Sequence, residues 1–241
     1  MPSPLAMEQP WTLVTGQPGC GKTTLVKALL EHLRGVPGVR VRGFYTDEVL
    51  KGNSRVGFDV VTAGGARGVL SRKGGPSAHP KTGAYSVDVS AFDALALPSF
   101  VPEGSSGGGS GGGGDGSEAE AGKDVVVIDE IGRMELHSQA FRRAIKAMLR
   151  DPSTRVVGAL TAPIYGHRVP FCDEIEQTRR VEVLRIKKSN RDQVRTDLLR
   201  RLVKEYGASA VARGRTQQKL KRAAADTPAA GTDTRRRRRL T

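Results

Sequence analysis

Residues Gly16–Thr24 read GQPGCGKTT, and this stretch decides the fold. It satisfies G-x-x-x-x-G-K-[ST], opened by Gly16 and closed by Gly21, Lys22 and Thr23. Trp11–Val14 before it are strand-favouring, and Leu25, Val26, Leu29, Leu30 and Leu33 after it recur at helical spacing. Strand, glycine turn and helix, in that order, predict a phosphate-binding loop. Glycines at 16, 19 and 21 free the backbone for conformations a β-carbon forbids, so that successive N–H groups turn inward onto phosphate oxygens. The helix start adds unpaired N–H groups and the positive end of its dipole. Gly16, Gln17, Pro18, Gly19, Cys20, Gly21, Lys22, Thr23 and Thr24 are therefore the expected nucleotide-binding residues. Lys22 is expected on the β/γ-phosphates and the Thr23 hydroxyl on Mg²⁺.

Working outward, Asp124–Asp129 (DVVVID) reads as a strand buried on both faces and ending in acid. Asp129 at its carboxyl end is placed to share the Mg²⁺ shell with Thr23. Glu130 follows, where a carboxylate orients and deprotonates a water, so the acidic pair favours hydrolysis over nucleotide storage. A mobile cation adds roughly 10³–10⁵ in rate to phosphoryl transfer when it reaches the transition state. Arg72, Arg133 and Arg168 are the candidates, Arg133 being nearest the acidic pair. His32, His79, His137 and His167 show no metal-ligand spacing.

The rest of the pattern predicts an α/β domain. Val39–Val49 reads as a strand, Lys51–Ser54 as a turn, and Val56, Phe58 and Val60 alternate as the return of an antiparallel hairpin. Arg67–Arg72 reads as a short strand, and Ser90 is expected to cap a helix through Leu97. A helix is expected over Met134–Arg150, strands over Arg155–Leu160 and Val181–Ile186, and a short helix over Cys172–Arg179. Asn190 and Gln193 resemble a capping box before a last helix that stops at Gly207. The segment between the first helix and Phe100 is thus a strand-rich excursion from the βα alternation.

Composition sets limits. At 241 residues the chain can bury one full core. The expected domain spans residues 11–206, interrupted by Gly104–Ser117, a glycine-serine stretch read as a disordered linker. From Gly207 onward ten Lys/Arg face two Asp, so +8 of the +14 net charge lies in the tail and +6 in the rest. Arg235–Arg239 suit nucleic-acid phosphates or nuclear import, but no aromatics interleave, and a solvated extension is favoured. Two cysteines cannot build a disulfide framework, no apolar run reaches membrane-spanning length, and Met1–Gln9 fits no signal peptide. The expectation is a cytoplasmic protein, nuclear if the arginine run acts as an address, favoured as a monomer and using nucleoside triphosphates as partners.

GQPGCGKTT, GFYTDEV, GFDVVT, RGVLSR, GAYSVDVSAFDALALP, DEIGRMEL and SNRD, in this order, resemble the cancer-related nucleoside-triphosphatase family of small P-loop proteins, also found in thermophiles. The resemblance runs from about Thr12 to Tyr206. It implies a P-loop NTPase fold, a RecA-like, mostly parallel sheet flanked by helices. It also implies slow Mg²⁺-dependent hydrolysis of ATP, GTP, CTP and UTP to the diphosphate and phosphate. Position by position, Gly16–Thr23 would bind phosphates, Asp129 and Glu130 would handle metal and water, and Arg133 stands where relatives often have lysine. Two other functions stay open on the residues themselves: a nucleoside or small-molecule kinase, and an RNA-linked NTPase using the basic tail.

Overall fold

The computed structural model describes residues 11–102 and 123–207. The glycine-serine stretch, the amino-terminal residues and the basic tail beyond Gly207 lie outside the described residues.

Among the described residues nine strands form one sheet: β1 Trp11–Gly16, β2 Val39–Lys51, β3 Ser54–Thr62, β4 Arg67–Lys73, β5 Lys81–Thr82, β6 Tyr85–Val87, β7 Lys123–Ile131, β8 Arg155–Thr161 and β9 Val181–Arg185. The helices are α1 Lys22–Arg34, α2 Val89–Ala96, α3 Gln139–Arg150, α4 Pro170–Glu176 and α5 Arg191–Leu202. Strand order is β5-β6-β4-β3-β2-β7-β8-β1-β9. From β2 to β9 every pair is parallel. From β2 to β5 every pair is antiparallel. This is the expected P-loop NTPase fold, a parallel sheet with an antiparallel excursion. The change of direction happens within β2. Val39–Phe44 pair with β7, and Phe44–Lys51 pair with β3. Gly52, at φ 58°, opens the two-residue turn into β3, as the Lys51–Ser54 reading anticipated.

The apolar strands are buried on both faces because successive side chains alternate. Val125 and Val127 of β7 meet Leu25, Leu29 and Leu33 of α1 and Leu198 and Leu202 of α5. Val126 and Ile128 meet the other core, under α2, α3 and α4. There Phe44, Phe92 and Phe141 meet with centroids 5.4–6.0 Å apart, joining β2 to α2 and α3. Truncating a fully buried side chain such as Leu29 costs about 2–5 kcal/mol, so α1 is fixed by its core face.

Four local expectations are corrected. The cap of α2 is Asp88, whose carboxylate accepts from the Ala91 amide; Ser90 lies inside the helix. The Met134–Arg150 helix is two pieces, a 3₁₀ turn at Glu135–His137 and then α3. Ser138 divides them: its backbone is extended and its hydroxyl accepts from the Phe141 amide, which starts a new helix. The short helix begins at Pro170 rather than Cys172, since proline fits a first helical turn. Asn190 and Gln193 form no capping box. Asn190 accepts from the Lys187 amide and donates to the Arg185 carbonyl, stabilising the preceding turn, while Gln193 donates to Asp197. A π-helical turn at Val203–Gly207 follows α5 and buries Tyr206.

Candidate active site

The loop between β1 and α1 takes the shape its glycines permit. Gly19 and Gly21 stand at φ 73° and 106°, and Gly21 caps α1 from the left-handed region. Gly16 is required for close approach instead: a β-carbon there would lie 2.3 Å from the Ile186 carbonyl oxygen and 2.7 Å from Cys20 Sγ. The first turn of α1 carries no acidic side chain, so its free N–H groups face an anion unopposed.

Across the sheet, β8 lies between β1 and β7. Lys22 spans that interval. Its Nζ donates to the Gly16 carbonyl at 2.9 Å and stands 3.4 Å from Glu130 Oε2, with only 10% of the side chain exposed. Gly16, Pro18, Gly19, Lys22, Thr23, Glu130 and Arg133 line one cavity of about 260 Å³. Asp129 is fully buried at the end of β7, and the peptide joining it to Glu130 is cis. The Asp129 carboxylate makes no well-formed hydrogen bond among the described residues, the Thr23 hydroxyl and the Thr46 backbone being its polar neighbours. Burial pushes its pKa up to about 7 and the Glu130 charge adds to this, while the Thr23 hydroxyl, the Lys22 ammonium and the Thr46 backbone pull the other way.

The other loop residues divide. Gln17 donates its side-chain amide to the Pro163 carbonyl at 3.1 Å, tying the phosphate loop to the loop after β8. The Cys20 side chain is turned into the core, 5% exposed, so only its backbone belongs to the loop surface. Gly21 and Thr24 line a neighbouring cavity of about 260 Å³ with Arg191, Asp192 and Arg195. Of the three candidate cations, Arg133 alone borders the main cavity; it donates to the His167 carbonyl at 2.5 Å. Arg72 is bound to Asp59 at 2.6 Å and to the Phe58 carbonyl, and Arg168 to Asp173 at 2.9 Å.

The antiparallel excursion supplies the opposite wall. Thr46 and Glu48 of β2, Arg55 and Phe58 of β3, Leu70 of β4 and Thr82 of β5 line the cavity, with Met134, Glu135 and Thr161. Arg55 lies 4.9 Å from the Phe58 ring centroid, pairs with Glu48 at 2.7 Å and donates to the Tyr85 hydroxyl at 3.0 Å. Sequence reading missed this wall, because its residues become neighbours only through the sheet order. Three larger cavities, about 400, 630 and 420 Å³, sit around the amino ends of β7 and β8, beside Thr62, Ala63 and Pro98, and beside Arg133, Arg168 and Pro170. Ligands of open α/β sheets bind at the carboxyl ends, where the 260 Å³ cavity lies.

The residues suit a divalent cation held jointly with a ligand. Among the described residues no group of three or more His, Cys, Asp or Glu could hold a metal unaided. A buried, unpartnered carboxylate beside a threonine hydroxyl fits Mg²⁺, which takes one or two protein oxygens and completes its shell with phosphate and water.

A family model described as NTPase matches residues 12–106 and 117–199, leaving out the middle of the glycine-serine stretch. The cancer-related nucleoside-triphosphatase of Homo sapiens is 40% identical over 190 residues, which cover 77% of this chain and 93% of that protein. Nucleoside-triphosphatase THEP1 of Aquifex aeolicus is 35% identical over 192 residues, covering 78% and 96%. The crystal structure of THEP1 from Aquifex aeolicus superposes with a TM-score of 0.62 at 30% identity, over 78% of this chain and 96% of that one. The solution structure of a human cancer-related nucleoside triphosphatase gives 0.61 at 38% identity, over 81% and 97%.

Proposed function

The chain belongs to the cancer-related nucleoside-triphosphatase family, an NTPase family, and from that premise we propose that it hydrolyses the terminal phosphoanhydride of nucleoside triphosphates with Mg²⁺. Its substrates in this reading are ATP, GTP, CTP and UTP, released as diphosphate and phosphate. The catalytic unit is residues 11–206, interrupted by the glycine-serine stretch. What supports this reading most is Lys22, which touches both the phosphate loop at Gly16 and the acid at Glu130.

In this mechanism the loop amides and Lys22 bind the β- and γ-phosphates, withdrawing charge from the bridging oxygen. Thr23 and Asp129 hold the cation, which supplies charge neutralisation on the phosphate oxygens. Glu130 orients a water opposite the leaving group. As the water oxygen bonds to the γ-phosphorus, the bond from that phosphorus to the bridging oxygen breaks and its electron pair leaves with the diphosphate. The water proton passes to the Glu130 carboxylate. Arg133 adds positive charge at the rim.

The test is phosphate release from the four nucleotides with and without Mg²⁺, beside Glu130→Gln, which should bind nucleotide and lose most turnover. Normal release by that variant would refute the role given to Glu130. A second reading, phosphoryl transfer to an organic acceptor, draws support from the apolar wall of Phe58, Leu70 and Met134. Phosphate release that requires an added acceptor would favour it.

A further inference from the structure

We propose that Glu135 is a positioning residue for Glu130: its buried carboxyl, lodged across Gly132, fixes the direction in which the Glu130 carboxylate faces the cavity. The inference rests on the reading of Glu130 as the group that receives the water proton.

The chain after β7 is built to bring the two acids together. The Leu136 amide bonds to the Gly132 carbonyl at 3.0 Å, and the 3₁₀ turn that follows winds residue 135 back over residue 132. Glu135 is 4% exposed, and it lines the same cavity as Lys22, Thr23 and Glu130. A β-carbon at Gly132 would lie 2.6 Å from Glu130 Oε1 and 2.8 Å from Glu135 Oε2. The two carboxyl groups therefore share the space that the glycine leaves. Lys22 holds the other Glu130 oxygen, Oε2, at 3.4 Å. Glu130 is thus bracketed, with a cation on one oxygen and a second carboxyl beside the other.

Burial holds Glu135 well above the ordinary glutamate pKa, and the charges of Glu130 and Asp129 add to it; the backbone of Glu135 and of Gly132 opposes this. Arg133 from the same segment lines the same cavity, and the Cys172 thiol of α4 feels the charges of Glu130, Asp173 and Glu135. A protonated carboxyl offers one O–H donor, and the neighbouring carboxylate accepts. Its part in catalysis is to keep Glu130 from swinging off the line of attack, since misplacement by about 1 Å costs on the order of 10²-fold in rate.

Two variants test this in the full chain: Glu135→Gln, which keeps a donor, and Glu135→Met, which keeps the length and loses it. Single-turnover hydrolysis of Mg-ATP and equilibrium binding of a fluorescent ATP analogue are measured for both, with Glu130→Gln as control. Expected is a fall in rate of about 10–100-fold for Glu135→Met with nucleotide affinity within about twofold, and at least a third of the parental rate for Glu135→Gln. A role confined to stabilising the turn would lower the unfolding midpoint without separating rate from affinity. Parental rate in Glu135→Met, or a Glu135→Gln rate as low as the Met rate, overturns the inference. Should the Met variant fail to fold, Glu135→Gln decides alone, a loss beyond tenfold being the refuting result. If Glu130→Gln itself turns over normally, it is the reading of the active site that fails; if that control is inactive and Glu135→Met is not, only the inference fails.

Discussion

Gly132→Ala places one methyl group between the two glutamates and tests how closely the site is fitted. The new β-carbon would stand 2.6 Å from Glu130 Oε1, 2.9 Å from Glu130 Cγ and 2.8 Å from Glu135 Oε2. Ordinary van der Waals contact begins near 3.5 Å, so each carboxyl must retreat by roughly 0.6–0.9 Å. All the obstructing atoms belong to side chains, so the backbone can stay in place and the cost falls on orientation. A displacement approaching 1 Å at a reacting group corresponds to about 10–100-fold in rate. The phosphate loop lies on another strand and is untouched, so nucleotide affinity should change by less than about threefold, well under 1.4 kcal/mol. Single-turnover phosphate release measured beside fluorescent-nucleotide binding separates the two quantities. Parental turnover in Gly132→Ala would refute the reasoning, because it would show that Glu130 can work from a displaced position.

Lys22→Ala removes a charge-assisted contact worth about 1.5–3 kcal/mol, so Mg-ATP binding should weaken by roughly 10–100-fold, as read by titration calorimetry. Asp129→Asn removes the negative charge from a fully buried carboxyl that makes no well-formed hydrogen bond, so the nucleotide-free protein should melt higher while losing its Mg²⁺-dependent rate; a lower melting point contradicts this. Burial alone would raise the pKa of Asp47, but hydrogen bonds from Lys27 and Arg67 outweigh it and hold the group below the ordinary aspartate value. A depressed carboxylate stabilises the fold above its unfolded pKa of about 3.9 and loses that contribution as pH falls through the lower folded value. Urea midpoints should therefore show Asp47→Asn weaker than the parent at pH 6 and level with it in acid below both pKa values.

The phosphate loop was legible because its chemistry is local. Positive φ at Gly19 and Gly21 and the narrow fit at Gly16 are demands that only glycine meets, and they fall within a few residues of Lys22. The run ending in Asp129 was legible for a related reason, since a strand buried on both faces is continuously apolar. What stayed hidden depends on pairing between distant segments. Arg72 looked as available as Arg133 until the β3–β4 ladder set it against Asp59. Glu135 fell inside the helix expected over Met134–Arg150, because the Ser138 cap that ends the 3₁₀ turn gives no signal stronger than many other serines. Arg55 and Phe58 reach the cavity only because the excursion folds beside β7 through β2.

Since Thr46 and Glu48 are carried by the same unbroken strand whose first half is laddered to β7, the wall and the floor of the cavity are one piece of backbone. The cleft therefore lacks a loop at that corner on which its two sides could pivot. Any narrowing of the cavity at that corner would have to bend β2 itself, a strand of thirteen residues with Gly43 at φ 96° and a register shift between Val49 and Leu50.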